Sequence, residues 1–238
     1  MAENALLKNI SKYVNLTPDE ISTFESFWTE KTLKKGDYLL RNGDTCRYDS
    51  YVVSGAMKAF YINADNGNEE ILFFAVDDWW ASDLDSFSKQ KPSIYNIQAI
   101  EKTTVLQISH YSFQQLLTQL PCLERYFRII LESYLGALQK RNIYNNVYDV
   151  ESRYYDFLEN YPTIASKVPQ YLIASYLGVS AEFISRIKKN GKHEAARLRA
   201  RRQRKRDTQE LGEIHRENGE DGPELDQDGE GVARRLEA

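Results

Sequence analysis

The stretch QYLIASYLGVSAEFISRI, residues 170–187, decides how this chain is read. Counted from Gln170, the fifth place holds Ala174, small enough for two helices to cross closely. The ninth holds Gly178, which tolerates the positive φ that a turn of only a few residues demands. Ile173, Leu177, Val179, Ile184 and Ile187 fall where two such helices would pack, and Ser180 stands where the second helix needs an N-cap. A silent helical hairpin would need all of these. The outward positions of the second helix carry more: Glu182, Ser185, Arg186 and Lys189. From the first turns of a helix, Ser185 and Arg186 can reach base edges or phosphates of DNA, and Lys188 with Lys189 can meet the phosphate backbone. Glu182 can accept from a cytosine amino group, or orient Arg186 one turn later.

Working outward, residues 149–190 read as three helices, with Asp149 as a cap, Pro162 as a break and Pro169 as an opening. Upstream, Pro121 opens a long helical run to about Asn146. Leu123, Phe127, Ile130, Tyr134 and Leu138 form one narrow apolar stripe on it, suited to a seam against a twin helix or to a cover over the preceding structure. Between residues 32 and 108 the period shortens to that of strands: DYLL, YVVSGAMKAFYI, EEILFFAV, and runs at 94–100 and 103–108. Turn signals such as Asn42-Gly43-Asp44 and Asp65-Asn66-Gly67-Asn68 separate them, which predicts a small antiparallel roll or barrel. Helices are predicted over 4–14 and 18–31, the second opened by Thr17 and Pro18 with Ile21, Phe24, Phe27 and Trp28 on one face.

Composition bounds the rest. The chain has 238 residues, 42% hydrophobic and with a formal net charge of −4, so any nucleic-acid surface has to be local. Two distant cysteines, Cys46 and Cys122, and three scattered histidines support neither a disulfide framework nor a metal site, and no cofactor is expected. No apolar run approaches a membrane span and no signal segment is recognisable, so a cytoplasmic protein without a membrane partner is expected. No phosphate-cradling glycine loop, nucleophile elbow or paired-His motif is present, so an enzyme is not expected. The acidic pairs Asp77-Asp78 and Glu69-Glu70 read as solvated turn residues. Residues 191–238 lack Phe, Trp and Tyr, carry RLRARRQRKR at 197–206, and hold an acidic, glycine-containing stretch from Glu217 to Glu230. They read as disordered, or helical only in part of the basic stretch, and that basic run either adds non-specific phosphate contacts or has no role.

The order of parts resembles the Crp/Fnr superfamily of bacterial transcription regulators over about residues 5–190. KKGDYLLRNGD and YDSYVVSGAMKAFY are similar to the turns of that superfamily's cyclic-nucleotide-binding domain, with glycines at Gly36, Gly43 and Gly55. S-A-E-F-I-S-R resembles the E-x-x-S-R recognition helix of the Fnr branch. The resemblance implies an α+β fold: an antiparallel β-roll (a double-stranded β-helix) with N-terminal helices over 1–118, a dimerisation helix over 119–147, and a helix-turn-helix domain over 148–190. It implies a homodimer whose Glu182, Ser185 and Arg186 contact bases of double-stranded DNA at an inverted repeat with a TTGA-like half-site; Ser180, Lys188 and Lys189 complete the candidate DNA-binding residues. Ala181 stands where the family often has Arg. The wing that often follows the recognition helix is not visible in the sequence.

The same resemblance exposes a departure in WWASDLDSFSKQKPSIYNIQA. Nucleotide binders of this fold use Gly-Glu-Leu and a later Arg-Ser/Thr-Ala there. Here Asp83-Leu84 stands in for Glu-Leu, and Ser93 and Ile94 fall where the Arg pair belongs, with Lys89 and Lys91 nearby. A cyclic phosphate would lack its bidentate partner, so cyclic nucleotides are not expected to bind. An unknown small-molecule effector has candidate contacts in Phe73, Trp79, Trp80, Asp83, Ser93 and Tyr95, although the aromatic residues among these equally suit the core of the roll. Two adjacent indoles cannot both point inward from one strand. The other reading of the chain is a ligand-sensing or interaction module that has lost productive DNA binding.

Overall fold

The computed structural model describes residues 2–190, with side chains placed for 5–189. The expected tail, with its basic run, and the region of the wing lie outside the described residues. Residues up to 187 form one compact unit.

Two antiparallel sheets make the roll. One orders β1 (Thr29–Leu33), β7 (Thr103–Ser109) and β3 (Tyr48–Ser54) as β1-β7-β3; the other orders β2 (Tyr38–Leu40), β6 (Asn96–Ala99), β4 (Ala56–Ile62) and β5 (Glu69–Val76) as β2-β6-β4-β5. The period-2 alternation of strands explains how one strand serves two cores. On β7, Val105 points between the sheets, whereas Leu106 and Ile108 pack outward against helices. On β4, Met57 and Ala59 point inward, whereas Ala56 and Phe60 face out. Along β5 the register shifts: Phe60 opposes Ile71 but Ala59 opposes Phe73, so Leu72 is an extra residue in a β-bulge.

Gly55, between β3 and β4, has φ +113, and a Cβ built on it would lie 2.5 Å from the Thr103 hydroxyl oxygen and 2.7 Å from its Cα. No side chain fits there, so glycine is obligatory where the chain passes from β3 in one sheet to β4 in the other beside Thr103.

The N-terminal helices α1 (Ala2–Ile10) and α2 (Pro18–Glu25) cover the outer face of the three-stranded sheet. Thr17 and Glu20 form a complete capping box on α2. The helix ends at Glu25 rather than near residue 31. The β-branched Thr29 and Thr32 belong to β1, paired residue by residue with β7, while Trp28 still packs into the core. Downstream, α3 (Leu84–Lys89) crosses the roll, and α4 (His110–Gln119) leads into the long α5 (Leu123–Val147).

The last region contains four helices where three were expected: α6 (Val150–Asn160), α7 (Pro162–Lys167), α8 (Gln170–Tyr176) and α9 (Ala181–Asn190). Pro162 does not merely break a helix. It occupies the first turn of α7, where a missing N–H costs nothing. The outer face of β4 and β5 and the inner faces of α6–α9 share one core, including Phe60, Ile71, Phe74, Phe157, Leu172 and Ile184.

Candidate nucleic-acid interface and sensor core

The helix pair α8–α9 is built as its spacing requires. Ala174 is buried at the crossing, Gly178 adopts φ +74, and Ile173, Leu177, Ile184 and Ile187 are buried. The Phe183 N–H donates to the Ser180 hydroxyl at 3.2 Å, so Ser180 caps α9. Glu182, Ser185, Arg186, Lys188 and Lys189 are all exposed. The Glu182 carboxyl is held below the usual carboxylate range by its own backbone N–H and by the Ser180 hydroxyl. Arg186 lies over the Phe183 ring at 4.9 Å, so a ring rather than Glu182 orients it. The outward face therefore presents one carboxylate and one hydroxyl, with basic groups at 186, 188 and 189 toward the last turn.

The seam predicted on α5 divides. Leu123 is fully buried within the single chain, and Phe127 and Ile130 pack on the roll and the N-terminal helices. Leu123 is therefore corrected from a twin-helix contact to a core residue, because the start of α5 covers β3 and β7. Tyr134 and Leu138 do stand exposed, together with Leu131 and Leu135, which the sequence reading passed over. Leu131, Leu135 and Leu138 are spaced by four and three residues, an a/d pattern rotated from the one expected.

The six residues expected to line one effector pocket do not converge. Trp80 points inward; its indole N–H donates to the Tyr126 hydroxyl at 3.2 Å, which donates to Asn9 at 3.0 Å, and its ring packs against Trp28, Tyr51 and Phe127. It is a core residue linking α1, the roll and α5. Trp79 points out at 41% exposure, edge-on to Tyr161. Asp83 and Ser93 are buried against one another, with the Ser93 hydroxyl donating to the carboxylate at 2.6 Å. The same carboxylate caps α3 by accepting from the Asp85 and Ser86 N–H groups, each at 3.1 Å. The Tyr95 hydroxyl donates to the Ser82 carbonyl at 3.2 Å, and its ring meets Phe73 edge-on. Lys89 and Lys91 both pair with Asp85 on the surface, so neither aims at the Asp83–Ser93 site.

Next to this cluster, burial pushes the Asp49 carboxyl up to about 6, only partly offset by the Ser82 hydroxyl and the Ser50 N–H. Burial likewise pushes the Cys46 thiol up to about 11, which keeps it un-ionised at neutral pH.

The acidic pairs are not simply solvated. Asp77 accepts from the Gly55 N–H at 2.7 Å and from the Lys167 ammonium of α7 at 2.7 and 2.9 Å, tying the helix-turn-helix region to the roll. Asp78 accepts from the Tyr51 hydroxyl at 2.7 Å, and Glu69 pairs with the mostly buried Lys58. Arg141 of α5 ties the same parts together. Its guanidinium donates to the Leu72 carbonyl at the bulge and to the Tyr176 carbonyl, and lies 4.0 Å from the Tyr176 ring centroid. Nothing in the local sequence around residue 141 signals this role. Only the bulge exposes the carbonyl that Arg141 takes.

The described residues thus form a β-roll joined through a long helix to a tight helix pair with a basic outward face. Residues 30–119 match the cyclic nucleotide-binding domain family. The chain is 27% identical over 188 residues to the transcriptional activator protein anr of Pseudomonas aeruginosa, covering 73% of this chain and 75% of that protein. It is 29% identical over 170 residues to the transcriptional activator protein FnrA of Stutzerimonas stutzeri, covering 66% of this chain and 68% of FnrA. The fold matches FixK2 from Bradyrhizobium japonicum with a TM-score of 0.62 at 17% identity, over 71% of this chain and 86% of that structure. These matches make the chain similar to Crp/Fnr-type regulators, with its residues 30–119 matching the cyclic nucleotide-binding domain. Both of these relatives are named as transcriptional activators. Among the described residues, no helix is long and apolar enough to cross a membrane.

Proposed function

We propose that the protein is a cytoplasmic, homodimeric regulator that reads an inverted-repeat DNA site through α9 and does not respond to cyclic AMP. The observation that carries this is the exposed Glu182–Ser185–Arg186 face on a helix whose other face is locked into the core. Two copies paired through Leu131, Leu135 and Leu138 would present two such helices about one turn of DNA apart. Lys188 and Lys189 would add phosphate contacts at the end of the helix.

Independence from cyclic nucleotides is supported by Asp83. Its carboxylate already accepts the donors at the start of α3, and Ser93 stands beside it where a guanidinium would be needed. A cyclic phosphate brought there would meet an anion instead of a cation. Calorimetry with cyclic AMP and cyclic GMP tests this half, and micromolar affinity for either would sink it.

The DNA half is tested by selection from random duplexes, followed by fluorescence anisotropy at stated salt. An enriched palindrome is expected. Arg186→Ala should cost about 1–3 kcal/mol on the selected site and relax one base position, whereas Lys189→Ala should weaken selected and random DNA alike. Equal losses on both DNAs for Arg186→Ala would reduce that residue to a phosphate contact. A folded dimer that enriches no palindrome would favour a sensor without productive DNA binding.

A further inference from the structure

We propose that the crevice between α5, β5 and the helices α6–α8 binds a small planar aromatic carboxylate, which acts as the effector of the regulator proposed above. This inference rests on that regulatory reading but uses a different site from the Asp83–Ser93 cluster. The crevice has a volume of about 370 Å³, near the small end of the range for ligand pockets, about 300–1,000 Å³. Phe73 and Trp79 of the roll, Tyr134 of α5, and Tyr161 and Tyr176 of the helix-turn-helix region form its walls. Flat aromatic walls at offset angles favour a flat aromatic guest.

The sign of the charge comes from the polar side chains. Lys140, Arg141 and Arg153 line the crevice against the single carboxylate of Asp156. The contacts of Arg141 are neutral, two carbonyl oxygens and a tyrosine ring, so none supplies a countercharge. Arg153 donates through one terminal nitrogen to Asn145 at 2.7 Å, while its Nε is buried without a hydrogen-bond partner. A buried N–H left unmade is costly, and a carboxylate entering the crevice would both accept from it and complement the charge.

Position supplies the regulatory consequence. Roll, long helix and helix-turn-helix region each contribute a wall, so a guest touching all three stabilises this docked arrangement over any other. A ligand bound here therefore shifts the population that presents α9 to DNA.

The test uses the full chain with benzoate, phenylacetate and indole-3-acetate as probes, each beside its uncharged amide. Calorimetry should show saturable binding of at least one acid, with its amide about tenfold weaker or worse. Binding should be lost in Arg153→Gln. It should also be lost in Ala137→Phe, which fills the crevice from α5 without removing a polar contact and so guards against misfolding of the first variant. Arg41→Gln, at the separate mouth of the roll, should leave binding intact. Failure of all three acids to saturate, amides binding as well as acids, or loss in Arg41→Gln alone would overturn the inference. DNA recognition without acid binding would sink this site only. Acid binding without palindrome recognition would sink the regulatory reading and keep the site.

Discussion

Breaking the Lys167–Asp77 contact tests how the helix-turn-helix region is held on the roll. Lys167 donates to both Asp77 oxygens at 2.7 and 2.9 Å and to the Gly55 carbonyl at 3.3 Å, with Glu101 a further 3.7 Å contact. Side-chain exposures of 26% for Lys167 and 43% for Asp77 leave the pair partly screened by water. A fully exposed pair contributes about 0–1 kcal/mol, and a charge-assisted hydrogen bond about 1.5–3 kcal/mol. Discounting for that exposure gives a coupling of about 1 kcal/mol. Lys167→Met, Asp77→Asn and the double variant, unfolded in urea, close the thermodynamic cycle. The asparagine oxygen can still accept from the Gly55 N–H, so the cycle isolates the ion pair. Coupling should shrink on going to 1 M salt, where the screening length falls to about 3 Å. A coupling below about 0.3 kcal/mol, or one indifferent to salt, would refute the view that this pair holds the two parts together.

Three further outcomes follow from the geometry. Asp49 titrates at about 6 when folded against 3.8 as an isolated group, so its ionisation opposes folding. Stability from this group should fall as pH rises from about 4 to about 6 and stay flat above, by on the order of 3 kcal/mol, and Asp49→Asn should abolish that slope in urea titrations. Gly55→Ala should cost about 3 kcal/mol or more, read as a lowered urea midpoint, because its Cβ would meet the Thr103 backbone in a left-handed conformation. Leu135→Asp should leave far-ultraviolet circular dichroism unchanged while light scattering reports a monomer. A dimer surviving that substitution would place the seam elsewhere.

Local chemistry was legible wherever a segment's own residues decide it. Ala174, Gly178 and Ser180 announce the helix pair, and the strands fall where β-branched and aromatic runs meet turn signals. Thr17, Pro18 and Asp149 announce their helices through caps, which act within one turn. What was not legible depends on partners distant in the chain. Residues 29–31 follow directly on the helical face set by Phe24, Phe27 and Trp28 with no turn signal between, and only the pairing with β7 makes 29–33 a strand. The stripe on α5 was real but its rotation was not readable, because the roll claims Leu123 and leaves Leu135 to solvent. Asp83 reads as a remnant of a phosphate site until its Ser93 and backbone partners show it to be a helix cap. The crevice draws its walls from residues 73 to 176, so no single stretch of sequence could reveal it.

The shared core beneath β4, β5 and α6–α9 has a consequence for dissecting the molecule. The helix-turn-helix region at residues 148–190 lies close to the length of about 40 residues below which chains usually need outside help to fold, and its apolar faces are buried against β4 and β5. Cutting near residue 148 would strip both halves of their apolar cover, exposing the outer face of β4 and β5 and leaving the helices without part of their core. Heating should accordingly melt roll and helices in one transition, and chimeras that graft this helix-turn-helix region onto another roll would need the matching face of β4 and β5 to travel with it.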